Sequence, residues 1–177
     1  VYRERLPKTW TLVCVGIYLA LVVKLGIDAI PEDTGLWLIV SASFLLVLAP
    51  AIAVPVSKAI YHRIVIDPER GVLRVGRERL ALADIDPASV HAALGEPAPG
   101  TVARYVTSAQ TIDAPVRGLR AKDLGAPRLV GGGWGAPMGM SVVVIATRGG
   151  EALSIATHDR AAFLNALAAA LPAEPRP

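Results

Sequence analysis

Residues 36–56 read LWLIVSASFLLVLAPAIAVPV, and this run from Leu36 to Val56 holds no charged side chain. At the helical rise per residue it covers about 30 Å, the thickness of a bilayer's hydrocarbon core. An earlier run, Trp10 to Ile30, is interrupted only by Lys24 and Asp28. Between the two stand Pro31, Glu32, Asp33, Thr34 and Gly35. The spacing predicts two spans, at about 10–30 and 36–57, folded back on each other as a transmembrane hairpin within residues 1–60. Pro50 and Pro55 are expected to kink the second helix or end its regular part early. Gly16, Ser41, Ala42, Ser43 and Ala49 are small enough to let helix backbones approach in lipid.

Basic residues set the orientation. Arg3, Arg5 and Lys8 precede the first run; Lys58 and Arg63 follow the second, with Arg70, Arg74, Arg77 and Arg79 close behind. The connecting loop 31–35 is acidic and has no basic residue. Positive-inside bias then places both termini in the cytoplasm and loop 31–35 outside a bacterial plasma membrane. Trp10 and Trp37 are expected at the two interfaces, where amphipathic rings collect. The chain opens on Val1 rather than Met, so further residues are expected upstream. The first run reads as a span and not a cleaved leader, because a second span follows at once and Asp28 to Glu32 is a poor cleavage site. Lys24 and Asp28 are spaced to pair loosely across one turn, with Lys24 reaching the outer interface. The alternative reading is an intramembrane contact with a partner.

The averages of 53% hydrophobic residues and a mean hydropathy of +0.49 conceal two different parts. After residue 60 the composition is that of one ordinary globular domain, predicted over 61–171. A net charge of +3 is too small and too dispersed to point to nucleic acid. Cys14 is the one cysteine, inside the first run, so neither an intrachain disulfide nor a Cys-based metal site is possible.

Past the membrane the apolar period changes. Residues 61–66, 72–75 and 78–82 read as strands, with Asp67 to Gly71 a turn of strong chemistry. Asp84 to Pro87 is a turn, residues 89–94 are strand or short helix, and 102–107 read as a strand. A Gly/Pro-rich segment runs from Asp113 to Gly139 and contains Gly131–Gly132–Gly133–Trp134–Gly135. Residues 141–147 and 151–156 form a hairpin about Gly149–Gly150. Thr157 is placed as an N-cap for a final helix over 161–171, whose Phe163, Leu164, Leu167 and Leu171 share a face. Pro172 stops it, and 172–177 is expected to be a disordered tail.

Catalytic constellations are scarce. His62, His91 and His158 lie in different elements without ligand spacing, so no metal site is expected. The Gly131–Gly135 run lacks a following Gly-Lys-Ser/Thr and leads into a strand, which argues against a phosphate loop. It is better read as a flexible loop that either presents Trp134 and Met138 to a partner or to the bilayer interface or packs them over the barrel mouth. Arg70, Arg74, Arg77 and Arg79 form a candidate contact for anionic lipid.

Strands followed by one C-terminal helix are in the order of a pleckstrin-homology-like (PH-like) barrel capped by a helix. Ile85–Asp86–Pro87–Ala88–Ser89–Val90, Gly118–Leu119–Arg120 and Val143 to Arg148 resemble bacterial PH-like domains carried on a two-helix hairpin. Tyr2 to Leu6 and Leu73 to Arg77 resemble the actinobacterial membrane family known as DUF3093. The segment from Asp113 to Gly139 departs from that pattern. The resemblance implies an α+β architecture: a transmembrane hairpin, then a PH-like antiparallel β-barrel with its helix. The expected role is a non-catalytic accessory or scaffolding subunit, without cofactor. Its partner would be a larger integral membrane protein complex or further copies of the chain. Trp134, Met138, Lys24 and Asp28 are the candidate contacts. The alternative is a membrane-anchored lipid-headgroup sensor.

Overall fold

The computed structural model describes residues 1–4, 9–30 and 32–172. Arg5, Lys8, Pro31, the side chain of Trp10 and the tail from Ala173 lie outside the described residues, and with them part of the charge count, one interfacial tryptophan and the expected tail. Contacts divide the chain into two units, Pro7–Ser57 and the remainder.

In chain order the elements are strand β1 (Tyr2–Arg3), helices α1 (Thr9–Ala29) and α2 (Thr34–Tyr61), and strands β2 (Ile64–Asp67), β3 (Val72–Val75) and β4 (Glu78–Ala81). Helices α3 (Pro87–Gly95) and α4 (Thr101–Gln110) follow. Strands β5 (Arg128–Leu129), β6 (Ser141–Ala146) and β7 (Ala152–Thr157) and helix α5 (Arg160–Ala170) complete the fold.

The first unit is two apolar helices, each long enough to cross a membrane. Their pairing rests on a few local bonds. The Trp37 indole N–H donates to the Val22 carbonyl at 3.0 Å, and the Tyr18 hydroxyl reaches the Ser41 carbonyl at 3.4 Å. A side chain on Gly26 would meet the Trp37 ring at 3.2 Å, so this glycine allows the close approach. Trp37 thus spends its polar edge inside the hairpin, a use that an interfacial position did not anticipate. Pro50 and Pro55 neither end nor break α2, which runs unbroken to Tyr61. Lys24 and Asp28 are both exposed, and among the described residues no ion pair joins them.

The second unit is α+β. One sheet has four antiparallel strands in the order β1-β2-β3-β4; another has three, β5-β7-β6. An isolated bridge between Ile85 and Thr147 joins their neighbourhoods, but the strands do not close into a single barrel. The strand reading begins too early, at Tyr61: α2 occupies that position, and the strand starts at Ile64. Alternation then holds. Ile64, Ile66, Leu73 and Val75 face a core shared with Val143, Ile145, Leu153 and Ile155, and α5 covers it with Phe163, Leu164 and Leu167.

Two local assignments are corrected. Residues 102–107 belong to helix α4, because Val102, Tyr105 and Val106 recur at helical spacing and their polar neighbours fall on the other side. The N-cap of α5 is Asp159, whose carboxylate accepts from the Ala162 amide at 2.9 Å; Thr157 is the fully buried end of β7. Residues 89–94 resolve as helix α3, with Asp86 as N-cap and Pro87 at its first position.

Candidate interaction surfaces of the second unit

The loop from Gly131 to Met140 is anchored at both ends. Gly131 and Gly133 sit against the last residue of α2, Tyr61, and the residue after it, His62. A Cβ on Gly131 would stand 2.0 Å from the Tyr61 carbonyl oxygen, and one on Gly133 would stand 2.9 Å from Nε2 of His62. The glycine run therefore serves close backbone packing. The Arg77 amide donates to the Gly131 carbonyl at 3.4 Å, and the Lys58 ammonium donates to the Met138 carbonyl at 3.3 Å. On the other side, the Asp113 amide donates to the Trp134 carbonyl at 2.9 Å and the Ala136 amide to the Thr111 carbonyl at 3.3 Å. Met140 is fully buried.

From this held backbone Trp134 and Met138 project outward, 71% and 70% exposed. Nearby, α4 leaves Val102, Tyr105 and Val106 exposed. A Cβ on Gly139 would lie 3.7 Å from the Tyr105 hydroxyl, which places the helix and the loop side by side. The exposed face of α4 is an extension of this surface that a strand reading of 102–107 conceals.

Trp134 also borders a cleft of about 810 Å³. Its carboxylates are engaged. Arg128 bridges Glu78 and Glu151, at 2.7 Å each. Asp113 accepts from the Ala121 and Leu129 amides at 3.0 Å each. Among the described residues no three His, Cys, Asp or Glu side chains come together as a metal-ligating group.

Of the four arginines singled out by sequence, Arg74 and Arg77 share one concavity, and Arg79 stands opposite Arg74 across the β3–β4 ladder. Arg70 is elsewhere, at the β2–β3 turn, 3.6 Å from Asp67.

The fold also assembles a polar corner that no local motif announced. Glu4, directly after β1, is nearly buried. One of its carboxylate oxygens accepts from the Thr157 hydroxyl at 2.8 Å, from the His158 amide, and from the Asp159 amide at 3.1 Å. Glu4 thereby occupies the N-terminal approach to α5, where a carboxylate is favoured. His62, buried behind α2, has its pKa pushed down to about 4, first by burial and then by the charges of Lys58 and His158. His158 is also shifted down, chiefly by burial and by Lys58, against an opposing pull from Glu4. His62 and His158, read as unrelated in the sequence, therefore share one environment. His91 is exposed on α3.

No family model, curated protein or solved structure matches the chain. The functional reading therefore rests on this geometry alone.

Proposed function

We propose that the protein is a non-catalytic accessory or scaffolding subunit of a larger plasma-membrane protein complex. Its two helices anchor it, and its PH-like α+β domain faces the cytoplasm. The observation that carries the reading is the pair Trp134 and Met138, both largely exposed on a loop whose backbone is bonded on either flank. A large aromatic held out by a pre-ordered loop loses little conformational freedom on docking, the usual property of an interface anchor. The apolar residues of α4 widen the patch. Antiparallel strands followed by one C-terminal helix support the PH-like reading. Lys24 and Asp28, exposed on α1, are suited to contact a partner within the membrane.

The test is purification of the tagged full chain in a gentle detergent. The wild type should retain a second integral membrane protein at fixed stoichiometry. Trp134→Ala with Met138→Ala should reduce that retention about tenfold, a loss near 1.4 kcal/mol, without lowering the thermal midpoint. A wild type that emerges only as a monomer or as self-oligomers would overturn the accessory role.

A further inference from the structure

Four arginines meet where the chain enters and leaves its second unit. Arg3 from β1, Arg63 just before β2, Arg74 from β3 and Arg77 from the following turn line one concavity of about 520 Å³. Val65 and Ile60 supply apolar lining. Among the described residues no acidic side chain lines it. Among the described residues none of the four arginines has a salt-bridge partner, whereas Arg70, Arg128 and Arg160 each meet a carboxylate.

The arrangement is built, not incidental. The register places Arg3 opposite Val65, Val65 opposite Arg74, and Arg74 opposite Arg79, so one row crosses the whole four-stranded sheet. The Nε of Arg74 donates to the Gly76 carbonyl at 3.2 Å, which orients its guanidinium and leaves the terminal nitrogens available. The guanidinium of Arg77 lies over the Tyr61 ring, 4.8 Å from its centre. Gly76 lets the β3–β4 turn close against Tyr61: a Cβ there would stand 2.2 Å from the Tyr61 carbonyl oxygen. Like charges gathered without a counter-charge repel one another, and an anion relieves that repulsion. Guanidinium forks match the oxygens of phosphate, which they bind in pairs.

We propose that Arg3, Arg63, Arg74 and Arg77 form a binding site for a phosphate group. Phosphate is carried both by anionic lipid headgroups and by free phosphates. In sequence, Arg3 shortly precedes the first apolar helix and Arg63 shortly follows the second. The proposal is independent of the partner surface at Trp134.

The full chain in non-ionic detergent is titrated with short-chain phosphatidic acid and, separately, with inorganic pyrophosphate. Two variants remove cleft charge, Arg74→Gln with Arg77→Gln and Arg3→Gln with Arg63→Gln, so that one informative variant remains if the other fails to fold. Arg117→Gln with Arg148→Gln, both exposed and outside the cleft, removes the same charge elsewhere in the unit. Wild-type binding of at least one probe is expected, weakened about tenfold or more by each cleft pair and by less than about twofold by the control pair. Binding of the lipid alone names a headgroup as the source. Binding of pyrophosphate as tight as or tighter than that of the lipid names a free phosphate. Loss of equal size in the control pair reduces the effect to net charge and overturns the site, as does failure of the wild type to bind either probe.

Discussion

His62 directly follows the second apolar helix and is only 1% exposed. Lys58 of α2 and His158 after β7 oppose its protonation, and Glu4 after β1 sits beside His158. With its folded pKa near 4 against an ordinary 6.5, the native state binds fewer protons than the unfolded state between those values. Stability should therefore be flat above pH 6.5 and fall as pH drops toward 4. The loss is on the order of 3 kcal/mol, with His158 adding in the same direction. Denaturation of the full chain in detergent across that range measures the slope. His62→Gln should remove most of it, and an unchanged slope would assign the effect to other groups. None of this was legible in the sequence. Glu4, His62 and His158 carry no spacing that relates them, and only the pairing of β1 with β2 and the end of β7 brings them to one corner.

At the scale of elements, long patterns read well and isolated ones did not. The two apolar helices, the β2–β3–β4 meander, the β6–β7 hairpin and the amphipathic α5 follow from period and turn chemistry that repeat over many residues. Residues 102–107 misled because two valines and a tyrosine favour strand locally, while the same residues fit a helix that keeps its apolar face exposed. The glycines at 131–133 were visible as a special segment, but their purpose was not, because what they approach is Tyr61 and His62, distant in sequence. Gly131→Ala should lower unfolding stability by about 3 kcal/mol or more. It combines a φ of +116° with a Cβ far inside contact distance of the Tyr61 carbonyl. Gly95→Ala, at an open position in α3, should change stability by less than about 0.5 kcal/mol. Thermal melts of both variants make the comparison, and equal melting of the two would deny the loop its packing role.

For the whole molecule, the strand pairing agrees with one part of the expected topology, both flanks of the apolar hairpin on the same side, and leaves the choice of side to the basic residues. Tyr2, before the first span, pairs with Ile66, after the second. For two helices that each cross a bilayer, a sheet built from both flanks requires both flanks on one side of it. A Cys14→Ser background with single cysteines tests this. With intact cells and an impermeant thiol reagent, Glu32→Cys should label and Arg148→Cys should not. Labelling of Arg148→Cys in intact cells would reverse the orientation.

The β1–β2 pairing has one more consequence, in the order of synthesis. Ile64 to Asp67 do not exist until both apolar helices have been made. The first strand must wait unpaired while the two intervening apolar helices are made. The four-stranded sheet is complete only once Ala81 has been made, and Glu4 reaches its place ahead of α5 later still, when Thr157 to Asp159 are present. Residues 2–4 thus find their full set of partners only after Asp159 has been made, and their ordering reports that event.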